Sequence, residues 1–373
     1  MAMNSVSEYI HAVEGPQPAD QHRCACPTLE DLMREFHVPG VSIAVIKDFK
    51  IHWAKGHGIA DLENGAKVDT DTLFQAGSVS KPVAAMAILK AVQDRMFSLD
   101  DDINHVLRSW KLPDGPLTKD CRVTPRMLAS HTSGLGDGFG FPGYDPADPL
   151  PTVVQILNGQ PPSNVGPVLL ERPPLSAMKY SGGGSTILQL ALSDVIQQPF
   201  PQILRDYVID PIEMTNSAYE QPLSSMREQN AARSHDSGGR SMGEKWRVYP
   251  ELFAAGLWTT PTDLAKFAVE VQMSAQGRSN RVLSKSTVQE MLNPVGIGDF
   301  AVGFRIERRG QGWYMHHAGV NRGFMCLLVA HKLRGYGLAV MTNSMSGQAV
   351  IDGIRERVER VYEWDSLDKP LPR

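Results

Sequence analysis

Cysteine is scarce. Four residues, Cys24, Cys26, Cys121 and Cys326, in a chain of 373 are too few for a disulfide framework, so the fold must rest on a buried apolar core. Cys24 and Cys26 form a C-x-C pair in RCACP, but no second Cys or His pair at zinc spacing accompanies them. Free, reduced thiols and no metal or other cofactor are therefore expected. An excess of positive charge is also lacking: 37 Lys and Arg against 41 Asp and Glu give a formal net charge of −4, which leaves no basic footprint for nucleic acid or an anionic membrane surface. No stretch approaches the ~20 apolar residues that a membrane-spanning helix requires. The opening MAMNSVSEYIHAVEG has neither the basic start nor the apolar run of an export signal. As the sequence stands a cytoplasmic location is expected, or a periplasmic or secreted one if a signal has been removed. With no internal repeat and no low-complexity segment, the expected partner is a small molecule.

What is present is a chain whose pattern changes twice. Residues 28–37 (TLEDLMREFH) read as a helix with Thr28 as cap, ended by Pro39-Gly40. VSIAVIKDFK and IHWAKGHGIADLE read as two strands joined at residues 47–50, the edge of an antiparallel sheet. Residues 78–95 carry an Ala-, Leu- and Met-rich helical pattern with Pro82 in its first turn. From about residue 98 to 250 the chain is loop-rich and Pro-rich, with helical patterns at 124–130, 185–198 and 201–208. Regularity returns with a helix, TDLAKFAVEVQ, capped by Thr262 or Asp263. Four strand-like runs follow, FAVGFRIER, GWYMHHA, FMCLLVAHK and YGLAVMTN, then an amphipathic helix at 347–364 with Val350, Ile354, Val358 and Val361 on its apolar stripe. One sheet is thus assembled from both ends of the chain. The expectation is an α/β (α+β) fold: an antiparallel β-sheet flanked by N- and C-terminal helices, plus a mostly helical lobe. Residues 1–27 form an extension, 28–97 and 251–373 the sheet lobe, and 98–250 the helical lobe, with a site in the cleft between lobes.

Ser78-Val79-Ser80-Lys81 fits S-x-x-K at the start of a helix. Residues three apart share a helix face, so the Lys81 amine can lie beside the Ser78 hydroxyl. A buried lysine, its pKa lowered by desolvation, can take the serine proton. The helix N-terminus adds backbone N–H groups that favour a developing oxyanion. Alone the pattern is weak, but three further segments accompany it: Met178-Lys179-Tyr180-Ser181-Gly182-Gly183-Gly184, His316-His317-Ala318-Gly319-Val320-Asn321-Arg322, and Leu128-Ala129-Ser130-His131-Thr132-Ser133-Gly134. No G-x-S-x-G elbow is present, which argues against an α/β-hydrolase. The glycines at 182–184 lack the Lys-Ser/Thr ending of a phosphate loop.

In this order the four segments resemble the serine β-lactamase and penicillin-binding-protein family. The likeness is nearest to the class C β-lactamase branch with its D,D-peptidases, D-aminopeptidases and family VIII esterases, and spans roughly residues 28–363. The resemblance implies that Ser78 is the nucleophile of an acyl-enzyme and that Lys81 and Tyr180 share proton transfer. It also implies that the backbone N–H groups of Ser78 and Val320 form the oxyanion hole, with Gly319 keeping the strand open to the ligand. Two positions depart from the family pattern. Gly182 stands where Y-x-N has Asn, and His317 stands where K-T-G has Lys, so a side-chain amide and a fixed cation are both lost. These changes suit neutral esters or amides better than penicillins. Arg322 is a candidate to restore the charge. His316 alternates to the other strand face as a structural residue, and His131 and Ser133 belong to an architectural turn. Phe139, Phe141, Tyr144 and Trp258 either line an acyl pocket or pack the helical lobe.

The expected function is a serine hydrolase, preferably a carboxylesterase resembling family VIII esterases, acting on a small-molecule ester, amide or lactam. The alternatives are a D-amino-acid peptidase or amidase, a weak β-lactamase, an acyl transferase, and, from another class, a non-catalytic binding protein with the same fold. A homodimer is compatible with the sequence but not required by it.

Overall fold

The computed structural model describes residues 5–17, 27–136 and 141–367, so Cys24, Cys26 and Phe139 fall outside the described residues. The helix Leu29–Glu35 starts where Thr28 supplies a capping box: its hydroxyl accepts the Asp31 N–H at 3.1 Å and Asp31 accepts the Thr28 N–H at 3.2 Å. A helix over Val6–Glu14 precedes it. This element was not anticipated, although its Ser5-x-x-Glu8 capping box stands in the sequence.

Strand β1 (Gly40–Lys47) turns into β2 (Lys50–Asp61) through Asp48 and Phe49, at φ 53° and 61°, the left-handed pair that a two-residue hairpin turn needs. Short strand β3 (Ala66–Lys67) follows, and β4 (Phe74–Gln75) pairs with β5 (Trp258–Thr259). The chain's far end supplies β6 (Arg305–Arg309), β7 (Gly312–Asn321), β8 (Phe324–His331) and β9 (Gly337–Thr342). These make one seven-stranded sheet, β3-β2-β1-β9-β8-β7-β6, antiparallel at every pairing. The seam between the two chain ends is β1 against β9, running from Val41 opposite Thr342 to Ile46 opposite Gly337.

Strand alternation sorts the core into two layers. Val41, Ile43 and Val45 pack against Val350, Ile351, Ile354 and Val358 of the C-terminal helix Gly347–Val361. Each of these fully buried side chains is worth ~1.5–3 kcal/mol relative to exposure. Ala44 and Ile46 face the other layer, with the helices Ser80–Gln93 and Pro261–Ala275. The cap of Pro261–Ala275 is Thr260, whose hydroxyl accepts the Asp263 N–H at 3.2 Å, rather than Thr262 or Asp263. Pro261 fits the first helical position because no partner for an N–H is needed there, and this moves the cap one residue back.

Residues 98–250 hold the helices Pro125–Ala129, Val153–Asn158, Gly182–Ile196 and Phe200–Leu204, and no strand of the seven-stranded sheet comes from their described part. Ser80–Gln93 packs among neighbouring helices, buried over most of its surface, which explains why its sequence shows no polar face. Its start is fixed from three sides. The Ser80 hydroxyl donates to the Gly77 carbonyl at 2.6 Å and accepts the Leu257 N–H at 3.0 Å, while the Tyr219 hydroxyl donates to the Ser80 carbonyl at 2.5 Å. No helix among the described residues is long and apolar enough to cross a membrane.

Candidate active site

Ser78 sits in the 3-10 turn Gly77–Val79 that leads into the helix Ser80–Gln93, and Lys81 lies in the helix's first turn. The Lys81 Nζ donates to the Ser78 Oγ at 3.0 Å and to the Ala254 carbonyl at 2.8 Å, with Lys81 only 3% exposed. Tyr180 comes from the segment just before the helix Gly182–Ile196, whose cap Ser181 accepts the Gly184 N–H at 2.9 Å. Its ring centroid is 4.9 Å from the Lys81 Nζ. The phenol oxygen is buried and makes no hydrogen bond of ordinary length among the described residues. Burial pushes its pKa well above the usual phenol value, and the nearby Ser78 offsets only part of this.

Two hollows meet at Ser78. The larger, about 660 Å³, is lined by Tyr180, Phe300, Arg305, His316, His317 and Val320. The smaller, about 450 Å³, is lined by Lys81, Phe141, Ala254, Ala255 and Asn321. Strand β7 forms the shared wall. A Cβ on Gly319 would lie 1.9 Å from the Ala76 carbonyl oxygen and 3.0 Å from the Ser78 nitrogen, so only glycine lets this strand run beside the Ser78 turn. The backbones at Ser78 and Val320 thereby border one pocket.

His317 is buried, and its Nδ1 donates to the Ala318 carbonyl at 2.7 Å. In the neutral ring Nε2 is then an acceptor, and it has no partner among the described residues. Burial, with Lys81 nearby, pushes its pKa down to about 3, so the imidazole supplies neither a cation nor a donor to the cleft at neutral pH. Gly182 opens its helix against Phe141: a Cβ there would come within 2.8 Å of the Phe141 ring. An aromatic edge therefore fills the space beside the position of the missing amide.

Several residues lie elsewhere than the sequence suggested. Arg322 turns to Glu244, Nε to Oε1 at 3.0 Å, and does not line the cleft. Arg305 does line it, paired with Asp299 at 2.5 Å and opposite His316 in the β6–β7 register. His316 also borders the cleft, with its Nε2 3.3 Å from Glu307 Oε2. Trp258 packs inside the core against Trp246 and Phe324, and Tyr144 is buried and bridged to Val248, so of the three candidate pocket aromatics among the described residues Phe141 is the one at the site. Sequence reasoning placed His131 in an architectural turn but missed that its ring lies 4.2 Å from that of Tyr180. It also missed Glu251, a buried carboxyl with no hydrogen-bond partner for either side-chain oxygen among the described residues, three positions before Ala254. Among the described residues no group of three or more His, Cys, Asp or Glu is placed to hold a metal ion.

A family model described as beta-lactamase matches residues 27–361. The chain belongs to the β-lactamase family. Within the wider serine β-lactamase and penicillin-binding-protein superfamily, it is 22% identical over 331 residues to protein flp of Staphylococcus aureus (strain MW2). That match covers 84% of this chain and 61% of the relative, so the chain spans less than two thirds of that relative's length. Penicillin-binding protein 4 of Amycolatopsis lactamdurans is 29% identical over 186 residues, covering 50% of this chain and 46% of the relative. Among solved structures, the D-amino acid amidase from Ochrobactrum anthropi SV3 superimposes with a TM-score of 0.72 at 22% identity, covering 95% of this chain and 98% of that one. The octameric penicillin-binding protein homologue from Pyrococcus abyssi gives 0.70 at 20% identity, covering 91% and 76%. At these identities the two structures bear on the fold alone.

Proposed function

We propose that this member of the β-lactamase family is a carboxylesterase that works through an acyl-enzyme on Ser78. The observation that carries the reading is the meeting of three groups distant in the chain: the Ser78 hydroxyl, the Lys81 amine 3.0 Å from it, and the buried Tyr180 phenol that packs against Lys81. Lys81 in its neutral form takes the Ser78 proton as Ser78 attacks the ester carbonyl. The backbone N–H groups of Ser78 and Val320 hold the resulting oxyanion. Tyr180 stays a phenol in the resting site because burial holds its proton, so it serves first as the acid. It gives its proton to the departing alkoxide and regains one from Lys81, leaving an acyl-Ser78, a neutral amine and a free alcohol. Water reverses the sequence and releases the acid.

Neutral esters are favoured because the wall beside Ser78 offers His317 without charge and an apolar lining that includes Phe300, Ala318 and Val320. A second reading, hydrolysis of D-amino-acid amides or peptides, is favoured by Arg305, a cleft-lining cation in reach of a substrate carboxylate. Comparison of p-nitrophenyl acetate and butyrate with nitrocefin and a D-alanyl anilide separates them. The esters should be turned over fastest; a kcat/KM for the anilide or the lactam above that of both esters would overturn the substrate choice.

A further inference from the structure

Nothing in the hydrogen bonding of Tyr180 explains how its phenol is aimed. The hydroxyl lacks an anchor of ordinary length among the described residues, and a side chain on an irregular segment has no helix or strand of its own to set its direction. The restraint comes instead from His131, fifty residues earlier. Its carbonyl accepts the Lys179 N–H at 2.8 Å and its Nδ1 accepts the Ser181 N–H at 3.2 Å, so the peptides on both sides of Tyr180 are tied to one residue. Its ring then lies against the Tyr180 ring, centroids 4.2 Å apart and planes 35° apart, backed edge-on by Phe300 at 4.8 Å and 86°. His131 reaches these positions at φ 60°, a left-handed conformation that His and Asn adopt more readily than apolar residues. Because Nδ1 accepts, the ring proton sits on Nε2. Burial and the neighbouring Lys81 keep the ring neutral, so the acceptor persists across working pH.

We infer that His131 is a positioning residue that clamps the backbone either side of Tyr180 and stacks on its ring, holding the phenol toward Ser78. The inference rests on the reading of Tyr180 as proton donor. A misplacement of about 1 Å at a reacting group costs about 100-fold in rate, which sets the size of effect to look for.

The test measures acylation by p-nitrophenyl acetate, KM and thermal midpoint for the wild type, His131→Leu, His131→Asn, Tyr180→Phe and the double variant His131→Leu/Tyr180→Phe. His131→Leu removes the acceptor and ring, and should lower acylation roughly 100-fold with KM changed less than about threefold. His131→Asn keeps an acceptor at the δ position and tolerates the left-handed φ, and should recover about tenfold of that loss. In the Tyr180→Phe background His131→Leu should cost less than about threefold, because there is no longer a hydroxyl to aim. Wild-type acylation in His131→Leu, or a loss of the same size with and without the Tyr180 hydroxyl, would overturn the inference. Full activity in Tyr180→Phe would instead overturn the role given to Tyr180. Should His131→Leu fail to fold, His131→Phe removes the acceptor while keeping an aromatic ring, and the same cycle is read from it.

Discussion

Replacing Glu251 with Gln should flatten the dependence of stability on pH between about 5 and 8. Glu251 lies at the start of the short helix Leu252–Ala255, whose Ala254 carbonyl holds Lys81. It is fully buried, and neither side-chain oxygen has a partner among the described residues. Burial raises its pKa from the ordinary 4.5 to about 8. Below pH 4.5 the folded and unfolded chains both carry the proton. Between 4.5 and 8 the unfolded chain releases it and the folded chain keeps it, so stability falls as pH rises; above 8 both are ionised and the full penalty is in place. At ~1.36 kcal/mol per unit of pKa difference the whole interval amounts to about 5 kcal/mol. Unfolding entropy of about 2.1 cal/mol/K per residue gives roughly 0.8 kcal/mol/K for a chain of this length, so one pH unit corresponds to about 2 °C in Tm. Calorimetric or fluorescence melts of wild type and Glu251→Gln at pH 5, 6, 7 and 8, at fixed ionic strength, read this directly. The Tm of the variant minus that of the wild type should grow by about 5 °C from pH 5 to pH 8. A difference that stays constant across that range would refute the reasoning, because Glu251 would then carry no shifted proton.

Gly319→Ala sets a Cβ 1.9 Å from the Ala76 carbonyl oxygen, so β7 must move from the Ser78 turn. Esterase activity should fall by more than about 100-fold, the scale of losing one oxyanion donor, as read by p-nitrophenyl acetate turnover. The pH profile offers a separate check. His317 is pushed down to about 3, so its ring is neutral throughout pH 5–8, and burial also holds His131 well below its usual value. A plot of log kcat/KM should show no imidazole limb in that interval, and His317→Gln should leave its shape unchanged; an inflection near 6.5 that disappears in His317→Gln would contradict this.

Much of the architecture was legible because it is written in local periodicity. The β1–β2 hairpin, the four C-terminal strands and the closing helix each carry a residue period that survives without tertiary help. The proximity of Ser78 and Lys81 was legible for the same reason: it is a property of one helical turn, and the two groups lie 3.0 Å apart. The helix Val6–Glu14 was missed although its Ser5 and Glu8 box was visible, and the cap at Thr260 was displaced by reading past Pro261. Other features lie beyond sequence reasoning. The His131 contacts with residues 179–181 join segments fifty residues apart through a left-handed φ, which no spacing rule encodes. Arg305, not Arg322, lines the cleft because Glu244 draws Arg322 aside. Burial of Glu251 without a partner runs against the usual behaviour of carboxylates, so no pattern in the sequence would flag it.

The central claim is that the Ser78 hydroxyl, activated by Lys81, is the nucleophile. Treatment of the folded protein with a fluorophosphonate probe, followed by intact mass and peptide mapping, measures it. A single adduct on Ser78 is predicted, absent from Ser78→Ala and formed at least about 100-fold more slowly in Lys81→Met. An unlabelled folded protein, or an adduct on any other residue, would contradict the account.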